Sequence, residues 1–317
     1  DQFSATRVPG GPPSGIAVAL GTLVACVAVL YLCRGLRGIG RAIASMLGRW
    51  TRWPFALRTL LGGFTAFLAV VALTAVGLSA SMIMFNKMNN STAGQEPPTS
   101  PLRSGGPTSV IPWQGLGNAG RDFVSGGPTP AEIAGVTGKA ANAPIRIYAG
   151  LESADSLQAE ANLALQDLKR AGGFKRKAIV VYTPSTNGLV DPTAASAAEY
   201  VTNGDIASVS MQYTVLPSFL SIMLSQSTSL DSGRILFDTF RTAIDQLPES
   251  QRPQLYVYGE SLGAFGSQAP FTGKGIDGLT SQADGALWAG PPANSTYWQQ
   301  VSEMSTAGPT WAPIVDD

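Results

Sequence analysis

The sequence predicts N-terminal transmembrane α-helices followed by an α/β domain whose mostly parallel sheet is covered by helices on both faces. Three observations carry this. Residues 15–33 and 59–85 are uncharged and apolar, and about 20 apolar residues suffice to cross a bilayer core as a helix. The charge is split: residues 1–85 hold seven Arg and one acid, Asp1, whereas the rest holds fourteen Lys/Arg and twenty Asp/Glu. From Pro144 onward, short β-branched runs alternate with helical patterns, as in a parallel sheet with crossover helices.

The N-terminal region, 1–85, reads as two spans, 15–33 and 59–85, separated by 34–58. That connection carries Arg34, Arg37, Arg41, Arg49, Arg52 and Arg58 and no acid. Short Arg-rich loops stay on the cytoplasmic side, so it reads as a cytoplasmic loop and everything after Phe85 as extracytoplasmic. Ile39, Ile43, Met46 and Leu47 also recur at helical spacing there, which suits an amphipathic helix on the inner leaflet. This makes the chain a multi-pass plasma-membrane protein with the lipid bilayer as a partner. The chain begins at Asp1 without Met, compatible with further spans upstream.

Residues 86–143 read as an extracytoplasmic linker rich in Pro, Gly, Ser, Thr and Asn. The part up to about Ser109 is the tether, and 111–127 has aromatic content to pack on the next domain. The domain spans 144–317. Strands are expected at 145–150, 178–184, 206–214, 255–259 and 285–290, with a further one at 311–315. A helix is expected over 153–171, capped by Ser153, with Leu157, Ala161, Ala164, Leu165 and Leu168 on one face. Others are expected at 193–201 and at 231–247, the latter burying Ile235, Leu236, Thr239, Ala243 and Leu247.

Composition excludes several chemistries. There are two cysteines and no histidine, so neither a disulfide scaffold nor a four-cysteine zinc site is available, and the usual general base is missing. No carboxylate cluster has metal spacing and no Gly-rich phosphate loop occurs, so no metal, cofactor or nucleic-acid partner is expected. Lys175, Arg176 and Lys177 read as a solvated turn.

Gly259-Glu260-Ser261-Leu262-Gly263 is a Gly-x-Ser-x-Gly motif. Such motifs are common in a chain this rich in Gly and Ser, but here the context is specific. A strand runs into it and a small-residue helix start, Ala264-Phe265-Gly266-Ser267, leaves it, as the nucleophile elbow requires. Ser261 is therefore the candidate nucleophile. The N–H of Leu262 is the candidate oxyanion donor at the helix start. The second donor is expected from the loop after strand 178–184, with Ser185 or Thr186 as candidates, although Asn187-Gly188 suits an ordinary turn. Asp316 and Asp317 are weak candidates for the acid. Asp284 sits at the wrong end of its strand, and Lys274 is an unsupported alternative base.

The runs 252–268, 204–221, 284–292 and 145–154, with Trp113-x-x-Leu116-Gly117, resemble a membrane-anchored α/β-hydrolase family typical of actinobacteria. The resemblance covers about 60–317. It implies an α/β-hydrolase fold truncated at its C-terminus, with Ser261 as nucleophile and the family's acid and histidine downstream of Asp317. In one place the chain departs from the family. Gly-Thr-Gly-Trp is expected after Thr183-Pro184, where Ser185-Thr186-Asn187-Gly188 stands. The function expected is a serine esterase or lipase-like hydrolase acting on lipid-like or envelope esters. The alternatives are an acyltransferase with the same nucleophile and a non-catalytic envelope or scaffold protein.

Overall fold

The computed structural model describes residues 15–50 and 54–304. Two compact units emerge, Asp1–Ser81 and Met82–Asp317. The anticipated strand at 311–315 and the carboxylates Asp316 and Asp317 lie outside the described residues.

The first unit is helical. Helix α1 covers Gly15–Trp50 and helix α2 covers Phe55–Asn90. Within the expected loop 34–58, residues 34–50 and 55–58 are therefore helical, a correction with a simple cause. Arg, Ala, Leu and Met are good helix formers, and no proline interrupts α1. Glycine sets how closely the two helices meet. A Cβ added at Gly62 would lie 2.5 Å from the Gly40 carbonyl oxygen. Among the described residues, Ala56–Asn90 is long and apolar enough to cross a membrane, with a mean hydropathy of 2.2 in its most apolar stretch.

The second unit holds the sheet. Its elements after α2 are α3 (Gly117–Ser125), α4 (Pro130–Thr137), β1 (Ile145–Ala149), α5 (Leu157–Arg170), β2 (Ala178–Thr183), α6 (Pro192–Val201) and β3 (Ile206–Met211). They continue with α7 (Ser218–Leu224), α8 (Gln226–Asp245), β4 (Gln254–Glu260), α9 (Leu262–Ser267), α10 (Gly275–Thr280), β5 (Gly285–Ala289) and α11 (Thr296–Met304). The strands are all parallel in the order β1-β3-β2-β4-β5. β1, β2 and β3 are buried along their whole length, as strands covered on both faces must be. Helices α5, α8 and α9 pack on one face, and α3 and α6 on the other.

The expectations for α5 and α8 need adjustment. Ser156, not Ser153, caps α5, accepting from the Ala159 N–H, while Ser153 Oγ accepts from the Gly150 N–H at 3.0 Å. α8 starts earlier than expected and turns Leu236, Phe237, Phe240, Ala243 and Ile244 inward. The two phenylalanines outweigh Ile235 and Thr239, which stay half-exposed.

Residues 86–143 differ from a free tether. Arg146 N donates to Leu102 O and Ser104 N to Arg146 O, so 102–104 run alongside β1. The carboxylate of Asp167, fully buried on α5, accepts from Ser104 Oγ (2.7 Å), Ser109 Oγ (3.0 Å) and Val110 N (3.0 Å) and pairs with Arg170. Ile111 and Leu116 enter the core. Arg121, also buried, donates to the carbonyls of Asn89 (2.8 Å) and Ser91 (2.5 Å) and to Gln95 Oε1 (2.7 Å). A polar, Gly- and Pro-rich stretch is thus fixed by buried charge and backbone pairing together with a few buried apolar side chains.

Across the sheet from α5 and α8, Arg146 and Glu199 form a fully buried pair at 2.7 Å. The guanidinium also donates to Phe123 O and lies over the Phe123 ring at 4.9 Å. Breaking such a pair from one side costs about 3–5 kcal/mol.

Candidate active site

The C-terminal ends of β2 and β4, the middle strands of the sheet, carry the candidate site. β1 and β2 are consecutive in sequence, yet β3 lies between them. Open α/β sheets place ligands at such a reversal of strand order, outside the carboxyl ends of the strands.

β4 ends at Glu260 and α9 begins at Leu262. Ser261 between them has φ +53° and ψ −121°, a conformation L-residues with a Cβ rarely adopt. Glycines make the turn possible. A Cβ at Gly259 would come within 3.0 Å of the Gly263 carbonyl. One at Gly263 would do the same to the Thr183 and Pro184 carbonyls at the end of β2. Strand and helix meet backbone to backbone on both sides of the serine. Behind them, Gly233 of α8 lies against the Gly266 carbonyl and Gly266 against Ser229, which seats α9 directly on α8.

The Ser261 N–H donates to Ala289 O at 2.8 Å, tying the elbow to the end of β5. The Ser261 hydroxyl makes no hydrogen bond among the described residues and is half-buried. Leu262 is fully buried, and its N–H belongs to the first turn of α9, where no intrahelical acceptor exists.

The loop after β2 is pinned. Tyr148 donates its hydroxyl to Gly188 O at 2.7 Å, and Gln212 Nε2 donates to Asn187 O at 2.7 Å. Ser185 N–H donates to Leu189 O at 2.9 Å. That removes Ser185 from the oxyanion candidates, because its donor is already engaged in a backbone bridge. Thr186 differs: it is buried, with φ +42°.

Three buried polar residues of this domain escape a reading of motifs. Tyr213, just beyond β3, is buried, and its hydroxyl has no hydrogen bond of normal geometry among the described residues. Burial pushes its pKa up to about 12, opposed by the nearby Ser229 hydroxyl and Thr186 N–H. Ser229 on α8 donates to Leu262 O at 3.0 Å. Glu160, near the start of α5, is buried with one oxygen unpartnered, and loss of solvent raises its pKa to about 8. The only signal in the sequence was polarity at positions a periodicity argument assigns to solvent.

Other candidates sit elsewhere. The Lys274 ammonium donates to Gln282 Oε1 at 3.2 Å. Asp284 exchanges hydrogen bonds with the Leu255 backbone, joining the starting ends of β4 and β5.

Comparison with known proteins adds a family. A model described as alpha/beta-hydrolase family matches residues 145–317, and one described as the N-terminus of that family matches 6–128. No curated protein and no solved structure matches the chain.

Proposed function

The chain belongs to the alpha/beta-hydrolase family, and from that premise we propose that it is a membrane-anchored serine hydrolase acting on esters. The observation that carries this reading is Ser261, held at φ +53° between β4 and α9 with its hydroxyl unengaged among the described residues. Its Oγ attacks the ester carbonyl carbon and gives its proton to a base. The oxyanion takes hydrogen bonds from the N–H groups of Leu262 and Thr186. The alcohol leaves with the proton, and water then cleaves the acyl-serine and restores the hydroxyl. The 317 residues contain no histidine, so they do not hold the imidazole base that such mechanisms usually use.

The substrate is lipid-like. α7 follows the C-terminal end of β3 and exposes Phe219, Ile222, Met223 and Leu224 to solvent, an apolar surface suited to acyl chains. α1 and α2 form the anchor as two spans of the plasma membrane, with the Arg-rich turn inside and the sheet domain outside.

The test is fluorophosphonate labelling of membranes bearing the protein, wild type against Ser261→Ala. Labelling lost in the variant is the expected result. The lack of histidine in these residues favours one other reading, a hydrolase fold kept for binding. Absence of labelling in folded wild-type protein would decide for it.

A further inference from the structure

Within the first unit, α1 and α2 line an open groove of about 520 Å³. Its walls are almost wholly apolar, from Leu36, Ala44, Ala66 and Phe67, yet Arg37 and Arg41 stand on its rim one helical turn apart. Neither has a carboxylate to meet in this part of the chain: between Asp1 and Glu96 the sequence contains no acidic residue.

The depth of this groove follows from helix register. Gly40 faces Gly62, with Ala66 beside Gly40 and Ala44 beside Gly62, an antiparallel register of α1 and α2. Counting outward from that contact, residues 21–33 of the uncharged run 15–33 stand level with about 69–81. Nineteen residues of helix rise about 28 Å, close to a bilayer core of about 30 Å. Residues 34–44 and 59–68 then lie just beyond the core, at headgroup depth on the Arg side. There Leu60, Phe64 and Phe67 are exposed on α2 while α1 presents its arginines. A surface apolar along one wall and cationic along the other matches a molecule with an acyl chain and an anionic phosphodiester.

We propose that this groove is a binding site for an acidic phospholipid of the cytoplasmic leaflet, its phosphate between Arg37 and Arg41 and its chain along the Gly63–Phe67 wall. The proposal rests on the membrane reading of the hairpin and is independent of hydrolysis at Ser261. Guanidinium groups bind phosphate through paired N–H donors, and basic pockets between transmembrane helices on the cytoplasmic side take anionic headgroups.

The test uses the full chain in phosphatidylcholine nanodiscs with a minor fraction of a phosphatidylglycerol carrying a photoreactive acyl chain. The same photoreactive chain on phosphatidylcholine is the comparison. Phosphatidylglycerol is expected to label peptides from 36–44 and 59–70 preferentially. Arg37→Gln with Arg41→Gln is expected to lower that preference about thirtyfold, whereas Arg49→Gln keeps it. Gly63→Leu leaves every charge in place, and a Cβ at Gly63 meets no atom within 4 Å. It is expected to block labelling of the groove by filling it. Equal labelling by the two lipids, a preference that survives the double variant, or labelling unchanged by Gly63→Leu would overturn the site. Displacement by inorganic phosphate as effective as by phosphatidylglycerol would make it a phosphate site instead. A protein that carbonate strips from membranes would overturn the membrane reading and the site with it.

Discussion

Glycine brings backbones into contact in two regions of this molecule, to different ends. In the hairpin, Gly40 and Gly62 let two regular helices touch, and nothing around them is strained. At the elbow, Gly259 and Gly263 let a strand and a helix close on a residue that is strained, Ser261 at φ +53°. The first pair sets a distance and the second sets a torsion. A distance relaxes when a neighbour slides. A torsion fixed by the central strands has nowhere to go, because Gly263 abuts the end of β2, itself hydrogen-bonded to β3 and β4.

The sharpest way to break this contrast is Gly263→Val. Its side chain would overlap the Thr183 carbonyl, and the expected cost is about 3 kcal/mol or more, with Ser261 labelling abolished. Thermal denaturation of the solubilised protein reads the loss, and a folded, normally labelled variant would refute the assignment. Gly62→Val should cost less, about 1–3 kcal/mol, and leave the labelling rate of Ser261 unchanged. A drop in that rate would mean that the two regions are not separable in this way.

Glu160 sharpens the contrast from the side-chain direction, since it is confined without a partner for one oxygen. Its folded pKa is raised to about 8 from an ordinary 4.5, so the folded state holds the proton more tightly than the unfolded chain. Its contribution is fully present below about pH 4.5 and is lost as pH rises toward 8. Denaturation midpoints of wild type should fall across that window. Those of Glu160→Gln should lack this component, and parallel curves would exclude Glu160 as its source. The smallest effect belongs to Ser261 itself. Ser261→Gly is expected to be about 1 kcal/mol more stable than Ser261→Ala, because glycine accepts positive φ without strain. Equal melting temperatures would mean the elbow stores nothing.

What the sequence made legible follows the same division. β1 to β5 were readable because β-branched and aromatic runs bounded by turn residues identify buried strands. Ser261 was readable because its turn has a fixed residue pattern. The engaged N–H of Ser185 was not, since backbone pairing leaves no mark in residue type. Helix α1 outran its apolar run because charge does not end a helix and Pro54 does. The burial of Asp167 and Glu160 on α5 leaves no mark in an apolar periodicity. The packing of 111–127 was readable from its aromatic content, and Ile111, Trp113, Leu116, Phe123 and Val124 enter the core.

The fastening of residues 89–110 bears on what a protease does to this chain. A protease nicking between Glu96 and Ser100 leaves the upstream piece held by Arg121 through Asn89, Ser91 and Gln95, and by Gln95 on Asp122. A nick between Gly105 and Thr108 leaves Ser104 on one side and Ser109 and Val110 on the other, all bound to one carboxylate, that of Asp167. Either cut severs the chain without releasing its ends, so a single cleavage in this segment yields a nicked protein whose two pieces stay together.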